Sequence, residues 1–242
     1  MIYRPSPRSG SRLDTFLQAR LSPDGLFGRH FSIGLGVFIA AALAFAGIAV
    51  HVSSANWLTA IDARVSHWFN GHGSAVWTGV MFAITDTHGA VAIPLYSTIF
   101  VLVLARLRDW WWLAAVAGTT YGGMLLNIGL KYTFRRGRPS FENPLVNIAT
   151  YSFPSGHTAG TTLFYGVLAA YLMSRTGSCA ARFAILALAA TMVSLVGLSR
   201  VYLGAHYVSD VAGAVLEGLA WLSLCLTAVA VARRHFGGGS NG

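Results

Sequence analysis

Charge is what this sequence has least of. Only 10% of its 242 residues are Asp, Glu, Lys or Arg, where a soluble domain carries about a quarter. With 55% hydrophobic residues and a mean hydropathy of +0.58, a surface wetted on all sides is excluded. Acid is scarcer than base, 8 residues against 17, for a net charge of +9. Such a balance invites a nucleic-acid reading, but the basic residues form no single patch. They stand in small groups between long apolar runs, as Arg and Lys do beside membrane spans. The two cysteines, Cys179 and Cys225, give neither a disulfide framework nor a zinc spacing. Neither HExxH nor DxD occurs, so no metal site and no cofactor is expected. The chain reads as an integral membrane protein with the bilayer as its partner and no nucleic acid.

A spanning helix takes about 20 mostly apolar residues. Six segments qualify or nearly so: 31–52, 89–105, 110–130, 158–173, 183–198 and 211–232. The expected fold is therefore all-α, a six-helix transmembrane bundle over residues 31–236. A basic N-terminus precedes it over 1–30, and a flexible Gly/Ser tail follows over 237–242. Thirty largely polar residues ahead of the first span read it as a retained anchor rather than a signal peptide. Between the first two spans, Trp57, Leu58, Ile61, Val65, Trp68 and Phe69 recur at helical spacing. They read as a short amphipathic helix in the membrane interface, with a lid packed on the bundle as the alternative.

With six spans, both termini share a side with the 106–109 and 174–182 loops. Of the 17 basic residues, 11 fall on that side and 6 on the other, which puts the termini in the cytoplasm. Three polar clusters then meet on the opposite face: Lys131 to Pro139, Pro154 to His157, and Ser199 to Asp210. Lys131, Arg138 and Arg200 are cations with few acids near them in sequence, costly at a membrane edge unless an anion arrives. Arginine's planar fork suits phosphate oxygens. Ser155 and Gly156 precede an apolar helix, whose N-terminal N–H groups and dipole favour an anion. His206 and Asp210 lie four apart and share a helix face. The carboxylate can hold one imidazole proton and leave the other nitrogen free as base or nucleophile. His157 lacks such a partner and is expected to be free to take a proton near neutral pH, as an acid would.

The pattern Lys-x6-Arg-Pro, Pro-Ser-Gly-His and Ser-Arg-x5-His-x3-Asp, running from Lys131 to Asp210, resembles the three-part signature of the type 2 phosphatidic acid phosphatase superfamily at every position. The similar helical framework covers roughly 85–232. The resemblance implies that His206 attacks phosphorus to form a phosphohistidine, that Asp210 orients it, and that His157 protonates the leaving oxygen. It implies that Lys131, Arg138, Ser155, Gly156 and Arg200 bind the phosphoryl oxygens, without a metal.

The expected activity is hydrolysis of a lipid phosphate or diphosphate, with undecaprenyl diphosphate, phosphatidylglycerol phosphate and phosphatidic acid as candidate substrates. The expected place is a bacterial inner membrane, with the mouth on the periplasmic or extracellular face. A lipid phosphotransferase would share every motif. A transporter or binder of lipid phosphates would not need the His206/Asp210 pair, and a vanadate-dependent haloperoxidase would be soluble. Arg135 and Arg136 read as steering or snorkelling cations, Glu217 as a protonated packing residue, and Trp110 to Trp112 as an interfacial belt.

Overall fold

A computed structural model describes residues 29–237, all of whose regular elements are helical. The helices, in chain order, are α1 (Arg29–Val52), α2 (Trp57–Gly71), α3 (Ala75–Asp86), α4 (Ala92–Arg106), α5 (Trp110–Phe134), α6 (Gly156–Ser174), α7 (Cys179–Tyr202) and α8 (Val208–Gly237). Apart from their boundary residues at 29–30 and 237, the expected N-terminal segment and tail lie outside the described residues.

Six of these helices stand where six spans were expected, yet only α1, α5, α7 and α8 are long and apolar enough to cross a membrane by themselves. The other two differ for separate reasons. Helix α4 has 15 residues and reaches about 22 Å, short of a hydrocarbon core of about 30 Å. Helix α6 has 19 residues, nine of them buried, among them Thr158, Thr161 and Thr162. Its neighbours are α4, α5, α7 and α8, so much of it faces protein and needs less apolar surface. Two of its threonine hydroxyls donate back to carbonyls one turn earlier, Thr161 to His157 at 2.7 Å and Thr162 to Thr158 at 2.8 Å. The threonine hydroxyls of its first turns are thereby kept satisfied inside the bundle.

Close approach of α5 to α6 and α8 is built on small residues. A Cβ at Gly123 would stand 2.5 Å from Leu163 and 2.9 Å from Trp221. Just before it, Gly118–Gly122 forms a π-helical turn, and the Trp221 indole donates to the Gly118 carbonyl at 3.0 Å. A π-bulge shifts the register of the helix beyond it, here the part that ends in Lys131.

The region between α1 and α4 holds two helices where one was expected. Helix α3 was missed because Ala75–Asp86 is short and carries no strong amphipathic pattern; Ser74 starts it by accepting from the Trp77 N–H. Helix α2 begins with a reciprocal capping box between Asn56 and Thr59. Its polarity is turned inside out: Asp62 and Ser66 are buried, while Trp57, Ile61 and Trp68 are exposed. An apolar face turned outward from a helix of a membrane protein belongs in the lipid interface. The inward face packs on α7 and α8, so α2 is both interfacial and a cover on the bundle.

Candidate active site

The loop between α5 and α6 is anchored by Lys131. Its ammonium group, on the last turn of α5, donates to the carbonyls of Tyr151 at 2.9 Å and Pro154 at 2.6 Å. Phe153, completely buried, plugs the loop into the bundle between Phe45 and Phe134, at ring-centroid distances of 5.5 and 5.1 Å. The chain then enters α6 through Ser155, whose N–H donates to the Asp210 carbonyl at 3.1 Å. The first hydrogen bond within α6 runs from Ala159 to Ser155. The N–H groups of Gly156, His157 and Thr158 are thus outside the helix's own bonding, as at any helix start.

His206 sits in the turn between α7 and α8, after Gly204 at φ +67°. A side chain at Gly204 would also meet the Phe141 ring at 2.7 Å, so glycine is needed there on both counts. The imidazole is 2% exposed. Its Nδ1 lies 3.4 Å from Asp210 Oδ2 and 3.4 Å from the Ser152 hydroxyl. Its Nε2 lies 3.1 Å from Arg138 Nη1. Arginine can only donate, so Nε2 presents its lone pair and the proton of the neutral ring belongs on Nδ1, towards Asp210. Burial pushes the His206 imidazolium down to about 4, against the opposing pull of Asp210. The neutral, lone-pair-bearing ring is therefore the resting form at physiological pH.

Asp210 is completely buried. One oxygen accepts from the Tyr207 N–H at 2.9 Å and from the Ser152 hydroxyl. The other accepts from Arg136 at 2.5 Å. Arg138 also donates to the carbonyls of Ala205 at 2.6 Å and Tyr151 at 3.1 Å. Arg200, 3% exposed, donates to the Thr85 hydroxyl at 2.6 Å, and its Nε has no hydrogen-bond partner among the described residues. His157, in the first turn of α6, is near Gly89, where a Cβ would come within 3.5 Å of its Nε2.

All eight expected site residues thus converge at one end of the bundle, and the geometry refines three of them. Lys131 holds loop carbonyls as well as adding charge. Ser155 offers a hydroxyl that accepts from Thr158 at 3.0 Å, while its N–H is already used. Burial opposes a positive charge on His157 most, and Arg200, His206, Lys131 and Arg138 add to that. Its acid form therefore depends on an anion to reverse that balance, which corrects the expectation of ready protonation. Among the described residues, none of Lys131, Arg138 and Arg200 makes a salt bridge, because Arg136 takes Asp210 and Asp62 instead.

Arg136, Asp62, Ser152 and Thr85 were missed as site residues. Asp62 precedes the signature by many residues and reads as the polar face of a surface helix. Arg136 looks like one more cation of a basic loop. The only signal available was Asp62 itself, an acid in an otherwise apolar outer segment that holds few acids.

A buried histidine with its Nδ1 on a carboxylate and its Nε2 on an arginine, beside a helix N-terminus and two further cations without a salt bridge, has the chemistry to carry out displacement at an anionic centre. Residues 109–234 match the PAP2 superfamily. The chain belongs to that family. It is 41% identical over 96 residues to phosphatidylglycerophosphatase B of Bacillus subtilis, covering 39% of this chain and 47% of that protein. Against decaprenylphosphoryl-5-phosphoribose phosphatase of Mycobacterium tuberculosis it is 35% identical over 133 residues, covering 54% and 61%. The chain thus spans about half to three-fifths of the length of these two relatives. The crystal structure of a transmembrane PAP2-type phosphatidylglycerolphosphate phosphatase from Bacillus subtilis superposes with a TM-score of 0.71 at 28% identity, covering 78% of this chain and 94% of that one. The PAP2 chain is accordingly an integral membrane protein, and its six bundle helices follow the framework of a transmembrane relative.

Proposed function

We propose that this PAP2 chain is a lipid phosphatase that hydrolyses a phosphomonoester or diphosphate through a phosphohistidine on His206. The observation that carries the reading is the polarity of the His206 ring, Nδ1 to Asp210 and Nε2 to Arg138. Nε2 forms a bond to phosphorus as the bond from phosphorus to the lipid oxygen breaks, and that oxygen takes a proton from His157. Arg138, Arg200 and Lys131, with the N–H groups of Gly156 and its neighbours, stabilise the charge on the phosphoryl oxygens. Water then attacks phosphorus and gives its proton to His157. The electron pair of the P–N bond returns to Nε2, and inorganic phosphate leaves. The cations supply the stabilisation a metal would otherwise give.

The relatives' names, one a phosphatidylglycerophosphatase and one a phosphatase of a decaprenyl-linked phosphate, support a substrate with long apolar tails. Phosphatidylglycerol phosphate, undecaprenyl diphosphate and phosphatidic acid are the candidates. Each CH₂ kept in hydrocarbon contributes about 0.8 kcal/mol, so tails concentrate the phosphate beside the site, and headgroup discrimination should be loose. The test is purified protein in detergent against a panel of lipid phosphates and glycerol phosphate, with EDTA present. Release of phosphate from long-chain lipids at much higher kcat/KM than from glycerol phosphate is expected. Equal efficiency for both would remove the lipid from the proposal, and complete loss of activity in EDTA would remove the metal-independent mechanism.

A further inference from the structure

Asp62 lies on α2, far in sequence from any of the three signature segments, and is 1% exposed. One carboxylate oxygen accepts from the Ser209 N–H at 3.0 Å, in the first turn of the helix that carries Asp210. The other accepts from the Ser209 hydroxyl and from Arg136 Nη2 at 2.8 Å. The second nitrogen of the same fork, Nη1, reaches Asp210 at 2.5 Å and the Ser209 hydroxyl at 2.7 Å. The guanidinium lies over the Tyr207 ring, 4.3 Å from its centroid. Burial alone would lower the Arg136 pKa, but Asp210 and Asp62 more than offset it and leave it above the ordinary arginine value. One planar cation is thus shared by two buried carboxylates, one of which faces His206.

A carboxylate at the start of α8 already complements the helix dipole, and the Ser209 N–H and hydroxyl give Asp62 two hydrogen bonds there. The shared arginine does something further: it fixes Asp210 Oδ1, so that Oδ2 is the oxygen turned to His206 Nδ1. We propose that Asp62 and Arg136 are positioning residues for the reaction, acting through Asp210 on His206, and that α2 thereby joins the membrane interface to the active site. The outward face of α2 carries Trp57, Ile61 and Trp68, all exposed, and its inward face carries Asp62. Seating of the aromatic face in lipid sets the depth of α2, and Asp62 passes that position to the catalytic carboxylate. This rests on His206 being the reacting group.

The two residues carry opposite charges, which separates positioning from mere stability. The charged groups around His206 are Asp210, Arg138 and Lys131, with Arg136 and Asp62 behind Asp210. Removing the Arg136 charge leaves Asp210 fully negative towards His206 and raises the imidazole pKa. Removing the Asp62 charge leaves Arg136 wholly directed at Asp210 and does not raise it. General loosening and hydration of the site would raise it in both variants.

The experiment measures the His206 ring by NMR titration of nitrogen-labelled histidine in detergent, for wild type, Arg136→Gln, Asp62→Asn and the double variant, alongside kcat and KM on a long-chain lipid phosphate. The expected result is a raised His206 pKa in Arg136→Gln, none in Asp62→Asn, and a kcat loss on the order of tenfold to a hundredfold in each with KM little changed. The double variant should lose less than the product of the two, as expected for residues in one network. A raised pKa in both single variants, or kcat unchanged in both, would overturn the inference. If wild type releases no phosphate, the proposed activity fails, and the titration still decides whether Asp62 and Arg136 act on His206. Unfolded Asp62→Asn would show no resolved His206 signal; Asp62→Glu, which keeps the charge, then replaces it and should keep the native titration.

Discussion

Each cation of the site stands in a different local bond pattern, and that difference decides what its removal does. Among the described residues the Arg200 side chain hydrogen-bonds Thr85 and leaves its Nε unpartnered, so its loss should act on a bound phosphate more than on the fold. Lys131 ties the 151–154 loop to α5 through two close carbonyls, so its loss also frees the segment that leads into Ser155. Arg200→Ala should therefore lower kcat/KM with a small change in melting temperature, whereas Lys131→Ala should lower both kcat/KM and the melting temperature markedly. A hydrogen bond to a charged group contributes about 1.5–3 kcal/mol, which makes the second effect measurable by thermal unfolding. Identical profiles for the two variants would contradict these roles. The signature residues were legible in the sequence because each is a polar type forced into an apolar context. Arg136 and Asp62 were not, since their meaning lies in a pairing across 74 residues that no local pattern encodes.

At the scale of elements, the long apolar runs announced α1, α5, α7 and α8, because lipid demands an apolar surface wherever it meets them. Helix α6 was found in spite of its composition, from a short apolar stretch that follows Pro-Ser-Gly-His. Its threonines are explained only once it is known to be surrounded by protein. Helix α3 was illegible, as its 12 residues fill barely one window of periodicity and carry no strong amphipathic pattern. Sidedness rests on the distribution of Arg and Lys, and the loop from Arg135 to Ser155 should lie outside the cytoplasm. Asn143 is an exposed residue of that loop. A single cysteine placed there, with Cys179 and Cys225 replaced, should react with an impermeant maleimide in intact cells. Reaction only after lysis would turn the molecule over.

Taken whole, the molecule is an apolar bundle that gathers its polar groups at one end, around a histidine buried deeply enough to stay neutral. Tryptophans mark both ends, Trp110 beside the 106–109 loop and Trp57, Trp68 and Trp77 near the mouth, all exposed, as interfacial anchors are. Long lipid tails and a phosphate held at the membrane edge fit this division of surface. In the proposed reaction phosphate passes through the chain itself, on one nitrogen of one histidine. The direct measurement is mass spectrometry of protein quenched in alkali during turnover of a long-chain lipid phosphate, because a P–N bond survives base and is lost in acid. A phosphoryl group is expected on the peptide containing His206 and is expected to be absent from His206→Ala. Turnover with no phosphorylated His206, or undiminished activity in His206→Ala, would contradict it.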